Sequence, residues 1–145
     1  MKSSKLLLSG IASIMISANG LYAGSDLWPK NKGEVCWTTN GEIVRLAVVR
    51  TLNNHYLIHG TITEAGHKDT LINGNAEIIG DEVMMHTTLS WARVDEVNTY
   101  SGIVTLDLTT LNGTYEGLSN YYVKSSGETG ISYDGPHNLN YIPCP

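Results

Sequence analysis

Along most of the chain apolar and polar residues alternate one for one, and the alternation is broken by Gly, Asn and Asp. A period of two sends successive side chains to opposite faces of a strand, whereas an amphipathic helix needs apolar residues three and four apart. No stretch beyond residue 24 has that helical spacing, so the chain reads as all-β. The pattern predicts strands over 34–38, 42–50, 55–63, 70–79, 82–91, 99–108 and 114–124, and an eighth split between 131–133 and 139–142. Between them stand Asn40-Gly41, Asn53-Asn54, Glu64-Ala65-Gly66, Gly80-Asp81, Asn112-Gly113, the segment 125–130 and Asp134-Gly135-Pro136, all carrying turn-forming residues. Short, even spacing favours sequential hairpins, because a parallel pair would require a long crossover.

The middle strands allow the register to be derived. A turn over 64–68 sets Tyr56, Ile58, Gly60 and Ile62 opposite Ala76, Gly74, Ile72 and Thr70. A turn at Gly80-Asp81 then sets Ile78, Ala76, Gly74 and Ile72 opposite Val83, Met85, Thr87 and Leu89. One face is apolar across all three strands, while the other gathers His55, His59, Asn73, Asn75, Glu77, His86 and Thr88. A slip of one residue would exchange the faces, so three agreeing alternations specify antiparallel pairing with one buried side. The apolar face is small at its centre (Gly60, Gly74, Ala76) and bulky around it (Ile58, Ile72, Met85, Leu89, Trp91). Such glycines permit strong curvature or close strand approach, and they also suit an eight-stranded barrel with room for one small ligand. The expected fold is an antiparallel up-and-down β-barrel of about eight strands, with a tightly curled sandwich as the alternative.

The first 23 residues change the compartment. Lys2 and Lys5, an apolar stretch over 6–18 and Leu21-Tyr22-Ala23 have the three-part build of a secretory signal of bacterial type. The stretch is short of the ~20 residues that span a bilayer, and no Cys follows it directly to carry a lipid anchor. Cleavage before Gly24 would leave seven basic and fourteen acidic residues, a net charge of −7. That balance disfavours nucleic acid and anionic lipid as partners, since both reward a basic face. In an exported domain the two cysteines, Cys36 and Cys144, read as a disulfide tying the two ends of the chain and making the first and last strands neighbours. The expected location is the periplasm or the medium.

Candidate chemistry is sparse. His55 and His59 are separated by roughly 13 Å along a strand, too far for one metal ion. A site from His59 and His86 on the polar face competes with plain solvation, and no metal is assigned. No Gly-x-Ser-x-Gly elbow is present and neither Cys has a ligand partner at metal spacing, so no catalytic residue or cofactor is assigned. The acid pairs Asp81-Glu82 and Asp95-Glu96 sit in turns without the ligand sequence of a calcium loop. In 43–50 the alternation puts Arg50 with Val44, Leu46 and Val48, and Arg45 with Ile43, Ala47 and Val49, so an Arg goes with whichever side faces inward. An inward Arg would hold a ligand carboxylate, an internal acid or rim water. Tyr56, Trp91 and Tyr100 would serve as amphipathic lining or as core. Asn112-Gly113-Thr114 matches a glycosylation acceptor and also makes a good turn, which is the reading adopted.

The inferred architecture resembles the general lipocalin or avidin barrel plan; Gly33-Glu34-Val35-Cys36-Trp37 departs in spacing from the Gly-x-Trp that opens the first lipocalin strand. The expectation is a binding protein rather than an enzyme, holding a small apolar molecule with Arg45, Tyr56, Ile58, Ile72, Met85 and Trp91. The alternatives are a module with a filled core that docks another exported protein, and an eight-stranded outer-membrane barrel with its apolar face to lipid. Membrane insertion is not expected, because Gly60 and Gly74 interrupt that face.

Overall fold

The computed structural model describes residues 27–66 and 69–145. Eight antiparallel strands, each paired with its neighbour in sequence and the last with the first, close into a barrel. They are β1 (Lys32–Thr39), β2 (Glu42–Leu52), β3 (His55–Thr63), β4 (Thr70–Ile79), β5 (Glu82–Ala92), β6 (Glu96–Asp107), β7 (Gly113–Val123) and β8 (Glu128–Ile142). Ring closure excludes the sandwich. The secretory segment expected over 1–23 lies outside the described residues.

The register follows the alternation. Tyr56 faces Ala76 and Ile58 faces Gly74 across β3 and β4, and Ala76 then faces Met85 and Gly74 faces Thr87 across β5. The apolar side points inward, burying Ile58, Ile72, Ala76 and Met85, while His55, His59, Asn73, Asn75 and His86 are exposed outside. Curvature explains the glycines: a Cβ on Gly60 would lie 1.9 Å from the Arg45 carbonyl oxygen, and one on Gly74 2.0 Å from that of His86. Asn40 and Gly41, with φ of 47° and 84°, turn β1 into β2 in the left-handed conformation that tight hairpins demand.

The eighth strand corrects the sequence reading. Asp134-Gly135-Pro136 does not separate two short strands, and β8 runs without a break over 128–142. Tyr115 faces His137 and Gly117 faces Asp134, so the single residue Glu116 of β7 faces both Gly135 and Pro136 in a bulge. Turn-forming residues absorb an extra position here instead of ending the strand. The bulge has a consequence for the lumen: Asp134 and His137, an odd number of positions apart, both line it.

The two ends of the barrel differ. At one end Trp28, preceding β1, packs edge-on against Tyr56 at 5.5 Å between ring centres, above buried Val35, Val48, Val83, Leu106, Leu108 and Leu111. Connections at this end are stitched together: Ile78 N–H donates to the Asn54 carbonyl at 2.9 Å and Leu108 N–H to that of Asp81 at 2.8 Å. Asn112 serves as a turn residue there, its Oδ1 accepting the Tyr141 N–H at 2.8 Å. The opposite end, with the β1–β2, β3–β4, β5–β6 and β7–β8 connections, is open.

The seam between β1 and β8 is short, pairing Cys36 with Ile142, Trp37 with Tyr141 and Thr38 with Asn140. The disulfide Cys36–Cys144 lies beside it, with 5.1 Å between Cα atoms. Cys36 is on the outer side of β1 and directly opposite Arg45. Arg45 therefore points outward and donates to the carbonyl oxygen of Pro145, holding the tail against the wall. Its expected place in an inner site is corrected by that pairing. Arg50 belongs to the inward-facing series but stands beyond the closed end, exposed, where its guanidinium reaches Asn53 Oδ1 at 3.4 Å.

Candidate functional site

Inward-facing side chains of all eight strands leave a cavity of about 810 Å³ beneath the open end. This lies within the range of roughly 300–1,000 Å³ typical of small-molecule sites. Trp37, wholly buried, contributes to its base and donates its indole N–H to the Leu111 carbonyl at 2.6 Å, fixing the ring against the closed end. Above it Val44, Leu46, Ile72, Met85, Val104 and Leu139 make an apolar wall, with half-buried Ile62, Leu89 and Trp91 nearer the mouth.

A row of small residues lets the wall curve around the cavity, since a Cβ on Gly74 or Gly117 would lie 2.0 or 2.2 Å from a carbonyl oxygen of the neighbouring strand. Gly74, Thr87, Gly102 and Gly117 face one another in succession across β4, β5, β6 and β7. Tyr100 lies over this row: a Cβ on Gly102 would fall 2.4 Å from the Tyr100 ring and 2.6 Å from its hydroxyl. The missing side chain thus allows a large ring to lie along the wall rather than across the lumen.

Polar groups gather in a band and a rim. Tyr100 is 6% exposed and Thr39 3%, and among the described residues neither hydroxyl has a hydrogen-bond partner, although both residues line the cavity. Burial, with Asp134 adding, raises the Tyr100 pKa far above its usual value and keeps the phenol protonated. Burial likewise raises Tyr115, while Thr39 and Asn40 act in the opposite sense from close by, without a Thr39 hydrogen bond of ordinary geometry. His137 Nε2 stands 2.7 Å from Asp134 Oδ1, and its ring lies 5.0 Å from that of Tyr115. Asn40 Nδ2 approaches the other ring nitrogen at 3.4 Å, an arrangement suited to a proton on Nε2. Across the mouth Arg93 pairs with Glu64 at 3.6 Å. Glu42 completes the rim, its pKa raised by burial and then by Glu64, with Asp134 adding and Arg93 and His137 opposing.

Of the six residues expected to hold a ligand, Ile72, Met85 and Trp91 line the cavity. Tyr56 and Ile58 are buried in the core and are not among its lining residues, and Arg45 is outside. The alternation missed Trp37, Leu46, Tyr115, Asp134 and His137, because β1, β2, β7 and β8 offered no register check comparable to that of β3–β5. His59 and His86 stand on the exterior, separated by β4, and among the described residues no group of three His, Cys, Asp or Glu is placed to hold a metal.

Fold and site together define an up-and-down β-barrel with one plugged end and one hollow end. No protein-family model, curated protein or solved structure matches the chain.

Proposed function

We propose that this protein is an exported binding protein that takes a small, largely apolar molecule into the hollow half of its barrel. The observation carrying this reading is the 810 Å³ cavity, apolar at its base and open at one end only. A void of this size forgoes packing that a purely structural barrel would use, so its retention favours occupancy. The disulfide and the signal-like N-terminus support an oxidising compartment. A lipid-facing barrel is disfavoured by the direction of the apolar face, which buries Ile58, Ile72 and Met85 inside. Docking of another exported protein stays the second reading, favoured by Leu118, Tyr122, Ile131 and Tyr133 exposed together on the outer face of β7 and β8.

Native mass spectrometry of the protein recovered from a periplasm without detergent tests the proposal. The expected result is a reproducible added mass that organic extraction removes, and that is lost in Ile72→Arg with the barrel retained by circular dichroism. A bare protein that also takes up no apolar probe would overturn it. Ile58 is a poorer target for the charge, since it is buried in the core without lining the cavity.

A further inference from the structure

The cavity has a polar signature that an apolar ligand alone would leave unused. Among the described residues its charged lining groups are Glu42, Glu64, Asp134, Arg93 and His137. Three of these are carboxylates and one is a guanidinium, which is engaged with Glu64. Carboxylates therefore outnumber guanidinium groups among the described lining residues. Deeper in, the Tyr100 and Thr39 hydroxyls are buried with no hydrogen-bond partner of ordinary geometry among the described residues, and desolvated polar groups in that state hold hydrogen-bonding capacity that a ligand can use.

We propose that the ligand is an amphiphile whose apolar body fills the cavity and whose protonated amine sits at the mouth near Glu42 and Asp134, within reach of the buried hydroxyl band. This rests on the reading of the barrel as a small-molecule binder and specifies the chemistry of that site. A fatty acid would bring its carboxylate beside Glu42 and Asp134, against like charge. An ammonium group, in contrast, donates to carboxylates and hydroxyl oxygens alike. Burial of Glu42 beside Glu64 marks a carboxylate whose ionisation a cation would favour.

The test compares decylamine, decanol and decanoate by calorimetry on the exported, disulfide-bonded protein below their micellar concentrations. The three share an apolar tail and differ in head charge. The expected order is amine, then alcohol, then carboxylate, with the amine at least about tenfold tighter than the carboxylate, as expected for a charge-assisted contact. Glu42→Gln should reduce the preference for amine over alcohol, with the melting temperature as a check on folding. Amine affinity should fall as the pH is lowered toward the ordinary Glu value of 4.5, as Glu42, whose pKa burial raises, loses its charge; alcohol affinity should stay level. Alcohol or carboxylate binding as tight as amine would overturn the assignment of class while leaving the cavity reading standing. Failure of all three tails to bind a folded protein would overturn the cavity reading itself.

Discussion

The closed and open halves of the lumen are built on the same strands with the same alternation, yet one is packed solid and the other is hollow. In the closed half Val35, Val48, Val83 and Leu106 are at most 1% exposed, and Trp28 and Tyr56 meet edge to face above them. In the open half the corresponding inward positions include Gly102, Gly117 and Thr87, too small to meet across the barrel. Hydrophobic burial thus stabilises the fold from one end, and this leaves the other end free to carry polar groups that would be a liability in a packed core.

The largest test of this division is the seam. Replacing Cys36 and Cys144 together by Ser removes a cross-link of sequence separation 108 from a closure of three residue pairs. The expected loss is about 2–5 kcal/mol by denaturant titration, with the seam losing amide-exchange protection first. Paired substitutions in the two halves come next. Leu106→Ala should cost about 2–5 kcal/mol, because its neighbours surround it completely, whereas Leu89→Ala, bordering existing space, should cost less than half as much. The reverse experiment is sharper: Val83→Trp should destabilise by at least about 1–3 kcal/mol, while Leu89→Trp should fold normally and abolish ligand uptake. Equal costs at both ends would remove the distinction.

How far this was legible in the sequence depended on the regularity of each strand. From β3 to β5 every residue between turns keeps the period of two, and the deduced pairs Ile58–Gly74 and Ala76–Met85 are those formed. In β8 the extra position at Gly135-Pro136 shifts the period, and a reader of alternation sees a turn where the chain makes a bulge. Asp134 and His137 were lost to the site for that reason. Arg45 was ambiguous because its strand carries a basic residue on each side, and its outward direction is settled by a partner far away in sequence, Cys36. The glycine row across β4, β6 and β7 is likewise a property of the register between strands.

Smaller effects separate binding from stability at the polar band. Tyr100→Phe removes a buried hydroxyl that has no partner, so the ligand-free protein should be unchanged or gain up to about 1 kcal/mol, while affinity for polar-headed ligands falls. A change with the opposite signs would mean that the hydroxyl is satisfied by the protein itself.

The smallest expected effect lies at the closed end, in the turn that brings Leu111 beneath Trp37. Asp107 Oδ1 accepts the N–H groups of Thr109 at 3.0 Å and Thr110 at 2.7 Å and the Thr110 hydroxyl at 2.9 Å, and these bonds lower its pKa from 3.8. A carboxyl held below its unfolded value binds protons more tightly in the unfolded chain. Its contribution is therefore fully present above about pH 3.8 and is lost as pH falls through the lower folded value. Between pH 7 and 3 the native protein should lose stability that Asp107→Asn, already without the charge, has less of to lose, so the two melting temperatures converge in acid. Ligand affinity at neutral pH should be the same in both proteins, since the turn lies at the closed end and meets the base of the cavity through the Trp37 indole. A variant that bound less tightly while melting normally would show that the plugged end also sets the shape of the hollow one.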